Sequence, residues 1–380
     1  CGFISPALEE TEHEIENALR TAGNGKKVYV IGCAVNRHGS HLKREFPGVS
    51  GWFNIEAAPE LAKTLAPDGV HDADTRMPTT SGYTYIKISD GCSNRCSYCT
   101  IPSIRGPYRS FDMDRLTAEA TQLAKLGYRE LILVGQDTTR YGTDLYGKPM
   151  LGDLLSKFSE IESIEWIRIM YAHPRTLDAG VIEAIDRNEK VCAYIDLPIQ
   201  HVNSRILKSM NRGVDRGRIE DLVSTLKTVR NVSLRTTVII GYPTETDEEF
   251  NELMEFLGQG YFDWIGVFPY YSEAGTRAAE LPQLDEDLIT ARYEEALNLQ
   301  QRLMQANNER LRGTVHRTLV HGREGDFIGH AAFCAPEVDS RIIVKGTGLK
   351  IGNFYPVRIT AKSYCDLVGE VCPTGTGDHR

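Results

Sequence analysis

Residues 92–99 read Cys92-Ser93-Asn94-Arg95-Cys96-Ser97-Tyr98-Cys99, three cysteines at gaps of three and two residues. They follow directly on Tyr83-Thr84-Tyr85-Ile86-Lys87-Ile88-Ser89, a stretch whose composition predicts a β-strand. A loop of this length can turn three thiolates towards one point, and soft thiolates gathered at one point hold iron–sulfur clusters or zinc. A structural zinc site normally closes with a fourth Cys or His, and none lies in the near sequence. A cubane cluster held by three cysteines leaves one iron with an open position, where a small molecule can coordinate.

Working outward, Tyr83 to about Tyr271 repeats strand then helix. Predicted strands are 83–89, 130–135, 165–171, 193–197, 233–241 and 262–270, with helices such as 114–126, 177–186, 216–229 and 247–257 between them. Six such repeats imply a parallel barrel or partial barrel with its site at the strand carboxyl ends. The cysteine loop leaves the first strand on that face. Polar groups mark the other ends: Gly135-Gln136-Asp137, Tyr171-Ala172-His173, Asp196-Leu197-Pro198-Ile199-Gln200-His201, Arg235-Thr236-Thr237 and Gly241-Tyr242-Pro243-Thr244-Glu245. A lone His173 or His201 is more often a hydrogen-bonded turn histidine than a catalyst. Several polar strand ends on one face favour a shared cofactor pocket.

Before the barrel, a helix over 7–22, a strand at 27–31 ending in Gly32-Cys33, a strand at 51–54 and a helix over 57–65 predict a small open α/β layer. The chain starts at Cys1 within Cys1-Gly2-Phe3-Ile4, which reads as the interior of a domain begun upstream. Cys1 and Cys33 are expected at the carboxyl edge of one sheet. Residues 71–82 read as a linker. After the charged helical stretch 282–312, short strands at 315–320, 341–344 and 354–360, punctuated by glycines, predict a small β-barrel over 313–372, with a polar tail at 373–380. The domains read from sequence are therefore 1–70, 83–312 and 313–372.

The chain has 380 residues, 41% of them apolar and 25% charged, so a sizeable core can form. No apolar run approaches the roughly 18 residues of a membrane span. Nine cysteines, an odd number unevenly spread, suit a reducing compartment and a metal cluster better than a disulfide framework. A cytoplasmic location is expected. The net charge of −9 argues against broad nucleic-acid binding.

Taken together, Cys1-Gly2-Phe3-Ile4, Gly32-Cys33, Asp90-Gly91-Cys92-x3-Cys96-x2-Cys99-Thr100-Ile101-Pro102, Val134-Gly135-Gln136-Asp137-Thr138, Leu197-Pro198-Ile199-Gln200-His201 and Ile240-Gly241-Tyr242-Pro243-Thr244-Glu245 resemble the methylthiotransferase branch of the radical S-adenosylmethionine (SAM) enzymes. The resemblance covers residues 1 to about 370. It implies an amino-terminal cluster domain, incomplete here, then a partial (βα)6 radical SAM barrel and a carboxyl-terminal TRAM β-barrel. It implies that Cys92, Cys96 and Cys99 bind a [4Fe–4S] cluster whose open iron takes SAM, which the reduced cluster cleaves to a 5′-deoxyadenosyl radical. Tyr98, Gly135, Gln136, Asp137, Gln200 and Thr236 are the SAM contacts it implies. The family's auxiliary [4Fe–4S] cluster uses three cysteines. Cys1 and Cys33 match two of them, and the first would lie upstream, so an incomplete auxiliary cluster is expected. Cys192, Cys334, Cys365 and Cys372 match no ligand position and are expected to be ordinary thiols.

Two branches of the family differ in substrate. The MiaB type modifies isopentenyl-adenosine in tRNA, and the RimO type adds a methylthio group to an aspartate β-carbon in small-subunit ribosomal protein S-twelve. Ala335-Pro336-Glu337-Val338-Asp339 and Tyr364-Cys365-Asp366-Leu367 resemble the RimO type, although Cys365 interrupts a usually contiguous Tyr-Asp-Leu. Residues 313–380 carry eight Lys/Arg against seven Asp/Glu, whereas a tRNA-gripping domain should be basic. The expected partners are therefore ribosomal protein S-twelve, free or on the ribosome, and an electron donor such as flavodoxin or ferredoxin; tRNA and membranes are not expected. A reading from another class is an iron–sulfur electron-transfer protein without SAM chemistry, but such a carrier needs no large substrate pocket.

Overall fold

Which side chains face which way along six parallel strands decides how this chain builds its core. The structure, a computed structural model, describes residues 1–23, 25–69 and 78–373. Residues 71–77 of the predicted linker and 374–380 of the predicted tail lie outside the described residues. Two compact units emerge, and they cut the chain differently from the domain bounds read from sequence. One comprises Cys1–Met77, Gly91–Tyr108 and Tyr271–Pro282; the other comprises Pro78–Asp90, Arg109–Tyr270 and Gln283–Arg380.

In the first unit, α1 (Ser5–Ala22), α2 (Cys33–Glu45) and α3 (Ala58–Leu65) accompany a parallel pair, β1 (Tyr29–Ile31) and β2 (Gly51–Phe53). Its core is small: Ile15, Ala34, Leu42, Phe46 and Val49. The cysteine loop belongs to this unit and carries a short helix, α4 (Ile101–Arg105).

The second unit contains β3 (Tyr83–Lys87), β4 (Ser89–Asp90), β5 (Arg109–Ser110), β6 (Glu130–Val134), β7 (Trp166–Ile169), β8 (Val191–Asp196), β9 (Ser233–Ile240) and β10 (Trp264–Pro269). Six of these form one parallel sheet in the order β10-β9-β8-β7-β6-β3, which is the open barrel expected. Strands alternate their side chains between two faces. Ile86, Leu131, Leu133, Ile167, Ile169, Ile195, Leu234, Val238 and Ile265 turn outward and share a core with the helices of that layer. These include α5 (Met113–Lys125), α6 (Leu151–Ser159), α7 (Ala179–Arg187), α8 (Ser204–Ser209), α9 (Arg216–Leu226), α10 (Asp247–Gly258) and α11 (Glu286–Arg310). The register is sharply specified because a slip by one residue would turn this apolar set towards the other face.

The inward face has a separate core. Tyr83, Ile132, Trp166, Met170, Cys192, Tyr194 and Trp264 pack against Leu319, Val320, Phe327, Cys334, Ala335 and Ile342 of the carboxyl-terminal barrel. That closed barrel has the order β11-β12-β13-β15-β14, with β11 (Val315–Glu324), β12 (Asp326–Ala331), β13 (Ile342–Lys345), β14 (Phe354–Ser363) and β15 (Asp366–Val371). The sequence reading found β11, β13 and β14 but not β12 or β15.

The loop between β12 and β13 enters the sheet's inward face. Tyr83 and Tyr85 donate their hydroxyls to the two oxygens of Glu337, each at 2.9 Å. Tyr194 donates to Asp339 Oδ2 at 2.7 Å, and Ser233 Oγ and Trp264 Nε1 both donate to Phe333 O at 2.8 Å. At its base Glu130, Arg168 and His330 form a charged group with 1% exposure or less. Arg168 Nε meets Glu130 Oε1 at 2.8 Å, His330 Nε2 bonds the other oxygen, and the guanidinium also donates to Ala331 O and Ala332 O.

Candidate functional site: the cysteine loop and the strand ends

The cysteine loop is pinched at its base by chain pairing. β4 and β5 pair antiparallel, Ser89 with Ser110 and Asp90 with Arg109, so the intervening 91–108 must project as a loop. Inside it Cys92 N donates to Gly106 O at 3.1 Å, and Cys99 N closes a turn onto Cys96 O at 3.1 Å. Gly91 has φ +70, and a Cβ there would lie 2.2 Å from Pro107 O. Only glycine lets the two limbs approach this closely. Gly91→Ala is therefore expected to splay the loop and sharply lower iron incorporation on reconstitution while leaving the far-ultraviolet circular dichroism unchanged.

None of the cysteines is in a disulfide. Cys92 is buried, and Cys96, Cys99 and Tyr98 are partly exposed. Among the described residues no three Cys, His, Asp or Glu groups close to single-ion distance. A cubane makes no such demand, because its ligands bind separate iron corners.

Within the same unit the segment holding Cys1 is tied to α2 and to the cysteine loop. Gly2 packs so closely that a Cβ on it would lie 2.7 Å from Ala34 Cα, which places the neighbours of Cys1 and Cys33 in direct contact. Cys1 is exposed and Cys33, the first residue of α2, is partly so. Arg37 donates to Gly2 O at 3.1 Å and Phe3 O at 2.9 Å, and Thr100 Oγ1 donates to Phe3 O at 3.1 Å. Glu273 completes the clamp: it meets Arg37 at 2.8 Å and accepts from Ser5 N at 2.6 Å and Ser5 Oγ at 3.0 Å. Sequence reading missed Arg37 and Glu273, since neither carries a motif.

In the second unit, Gly135 ends β6 where a Cβ would lie 2.5 Å from Ser89 Oγ, so glycine is required by the neighbouring chain. Gln136 Oε1 and Ser89 Oγ are buried without a partner, and such orphans call for a bound polar group. Asp137 is fully buried and accepts from Thr139 Oγ1 at 3.0 Å and Thr176 Oγ1 at 3.2 Å, which gives it a positioning task. Gln200 sits at φ +72, its N donating to Thr237 O at 2.8 Å and its O accepting from Ile239 N at 2.9 Å. That conformation is costly for a non-glycine residue.

Thr236 faces the other way. It is fully buried on the helical side, donating to Leu197 O at 2.8 Å and accepting from Ile199 N at 3.3 Å. By alternation its neighbour Thr237 holds the inward position, where it accepts from Arg235 at 3.2 Å. A period-two count along β9 would have separated the two threonines.

His173 and His201 are turn histidines. His173 Nε2 accepts from Arg212 at 2.7 Å, and burial, then Arg212 and Arg175, push its pKa down to about 2. His201 Nδ1 accepts from Asn203 N at 2.9 Å, and burial lowers its pKa to about 4. Both stay neutral at working pH. Cys192 and Cys334 are buried, and burial pushes their thiols up to about 12.

The radical SAM superfamily model matches residues 86–257 and the TRAM domain model residues 313–372. The ribosomal protein uS12 methylthiotransferase RimO of Elusimicrobium minutum is 38% identical over 98% of this chain and 89% of its own length. Its counterpart from Aquifex aeolicus is 38% identical over 97% of this chain and 86% of its own length. The chain belongs to the uS12 methylthiotransferase family. Among solved structures, the radical SAM methyltransferase TsrM from Kitasatospora setae, with cobalamin and a [4Fe-4S] cluster bound, superposes with a TM-score of 0.55. That match has 14% identity and covers 71% of this chain and 62% of the other, so it shares the fold alone.

Both stretches that carried the resemblance to the RimO type do structural work in this family member. Residues 331–339 form the loop seated against the sheet. Residues 364–367 span the β14–β15 turn and the start of β15, where Asp366 accepts from Arg341 N at 3.0 Å and pairs with its guanidinium at 2.9 Å.

Proposed function

We propose that this chain is a radical SAM methylthiotransferase that adds a methylthio group to the β-carbon of an aspartate in small-subunit ribosomal protein S-twelve. The observation that carries this reading is near-full-length identity to uS12 methylthiotransferases, spanning both the cysteine loop and the β-barrel. The three thiols of a glycine-hinged loop fit a cluster, and the orphaned Gln136 Oε1 fits a polar cofactor.

Cys92, Cys96 and Cys99 would hold the [4Fe–4S] cluster, with Tyr98 between the last two ligands. When bound, that cluster offers an open iron to SAM and the electron that cleaves it. Gln136 would accept from the SAM side, while Gly135 lets the end of β6 pack against Ser89. Asp137 braces the turn beyond, and Gln200 marks the next strand end. Thr236 acts through its bonds to Leu197 and Ile199, holding the segment that leads to Gln200. Cys1 and Cys33 supply two ligands of an auxiliary cluster, kept in register by Arg37 and Glu273. A low-potential one-electron donor such as flavodoxin or ferredoxin would complete the cycle.

The test is anaerobic reconstitution of the full-length protein followed by SAM, dithionite and ribosomal protein S-twelve. Mass spectrometry should show one methylthio group on an aspartate and 5′-deoxyadenosine in solution. Modification of tRNA nucleosides alone would move the chain to the tRNA branch, and an absence of 5′-deoxyadenosine would remove the radical reading.

A further inference from the structure

Tyr171 breaks the alternation of its strand. Counting along β7, Trp166, Arg168 and Met170 face inward while Ile167 and Ile169 face the helices. The next residue should join the outer core. Instead Tyr171 adopts φ +58, a left-handed conformation that bulky side chains rarely take, and remains 44% exposed. Its phenol is close enough to Asp196 and Arg235, both inward-facing, for their charges to act on it, and it acts in turn on Tyr85. The backbone twist has swung the ring from the helical face to the inward face.

The surrounding groups hold that pose. Tyr171 N donates to Asp196 Oδ2 at 3.0 Å, and Tyr171 O accepts from Thr138 N and Thr138 Oγ1, each at 3.3 Å. Asp196 is fully buried and fixed by Arg235 at 3.0 Å, and Arg235 also meets Asp339 of the β12–β13 loop at 3.4 Å. A chain of side chains thus runs from the carboxyl-terminal barrel to the end of β7. Strain held in place on every side, for a ring that is not buried, implies a use for that ring. The Tyr171 hydroxyl has no partner within the described residues. Asp196 and Asp339 share the single Arg235 guanidinium, whose Nε is buried without a hydrogen bond, while the partly exposed phenol is the donor an incoming acceptor can reach.

We propose that Tyr171 is a substrate-contacting residue whose hydroxyl donates to the carboxylate of the target aspartate. Asp339, Arg235 and Asp196 are the positioning residues behind it. This rests on the function proposed above and names what recognises the substrate's side chain. A neutral donor suits the place, because one guanidinium already serves two carboxylates there and a third carboxylate cannot rely on it.

Two variants test the assignment in the reconstituted full-length enzyme. Tyr171→Phe removes only the hydroxyl, and its KM for ribosomal protein S-twelve should rise about tenfold or more, as expected for losing a hydrogen bond to a charged group. 5′-Deoxyadenosine formed without protein substrate should stay at the parent rate. Tyr171→Asn relieves the backbone, since asparagine tolerates this conformation; its melting temperature should match or exceed the parent's while methylthiolation falls. A Tyr171→Phe enzyme with the parent's KM overturns the proposal, and so does a loss of substrate-free SAM cleavage, which would place the hydroxyl on the cofactor. Tyr171→Asn melting well below the parent would assign the residue a structural role and overturn it as well. A parent enzyme that leaves S-twelve unmodified would instead defeat the functional reading itself.

Discussion

Cys92→Ala, Cys96→Ala and Cys99→Ala should each reduce 5′-deoxyadenosine formation to background. With three thiolates for four irons, no protein ligand is spare, and an alanine leaves a second iron without a side chain to hold it. The iron and sulfide content after reconstitution should collapse together with the brown colour of the cluster. Cys192→Ala and Cys334→Ala provide the contrast. Their thiols are buried in the inward core beside Arg168, and burial holds them protonated. These two should keep the cluster and lose only stability. A Cys96→Ala enzyme that still makes 5′-deoxyadenosine at the parent rate would refute the ligand assignment.

The second large effect concerns Glu130. Glu130→Ala leaves the Arg168 guanidinium and His330 buried without their carboxylate, which typically costs ~3–5 kcal/mol. Urea unfolding followed by tryptophan fluorescence measures it directly, because two of the three tryptophans, Trp166 and Trp264, line that core. Exchanging the group for apolar residues, as in Glu130→Leu with Arg168→Met and His330→Phe, should recover much of the loss, since a buried charge with no partner is worse than none. The acid behaviour follows from the same contacts. Burial alone would raise the Glu130 pKa, but His330 and Arg168 overcome it and pull the value from 4.5 to about 2. A depressed carboxyl stabilises the fold above its unfolded pKa. That contribution is complete above about 4.5 and disappears as the pH falls towards 2. Acid titration of the parent should show this loss and Glu130→Ala should not.

The barrel and its cysteine loop could be read from the chain because local signals and the global fold agree there. Six apolar strands with polar ends announce a parallel sheet, and three clustered thiols announce a metal. The inward face was opaque for a physical reason. Glu130 and Arg168 stand out as charges within apolar strands, yet pairing them requires the register between β6 and β7, and pairing both with His330 requires knowing that a distant loop enters the sheet. β12 and β15 escaped notice because each alternates briefly across glycines that blur the pattern, Gly329 and Gly369. Thr236, expected from the resemblance, faces the helices while Thr237 faces inward, because alternation turns a one-residue step into the opposite face. Tyr171 was read as a strand end, since no residue type signals a left-handed tyrosine.

The loop at 331–339 has a consequence for how such enzymes can be recombined. The chain looks modular at residue 313, where the β-barrel begins, but the seam in sequence is not a seam in packing. Glu337 and Asp339 are partners of tyrosines and an arginine rooted in three different strands of the sheet. A barrel transplanted from a relative with another loop would leave those hydroxyls and that guanidinium unmatched, and excising it would lay bare Trp166, Tyr194 and Trp264. Lineages built this way are bound to inherit sheet and barrel together, so a change of substrate has to evolve within the pair.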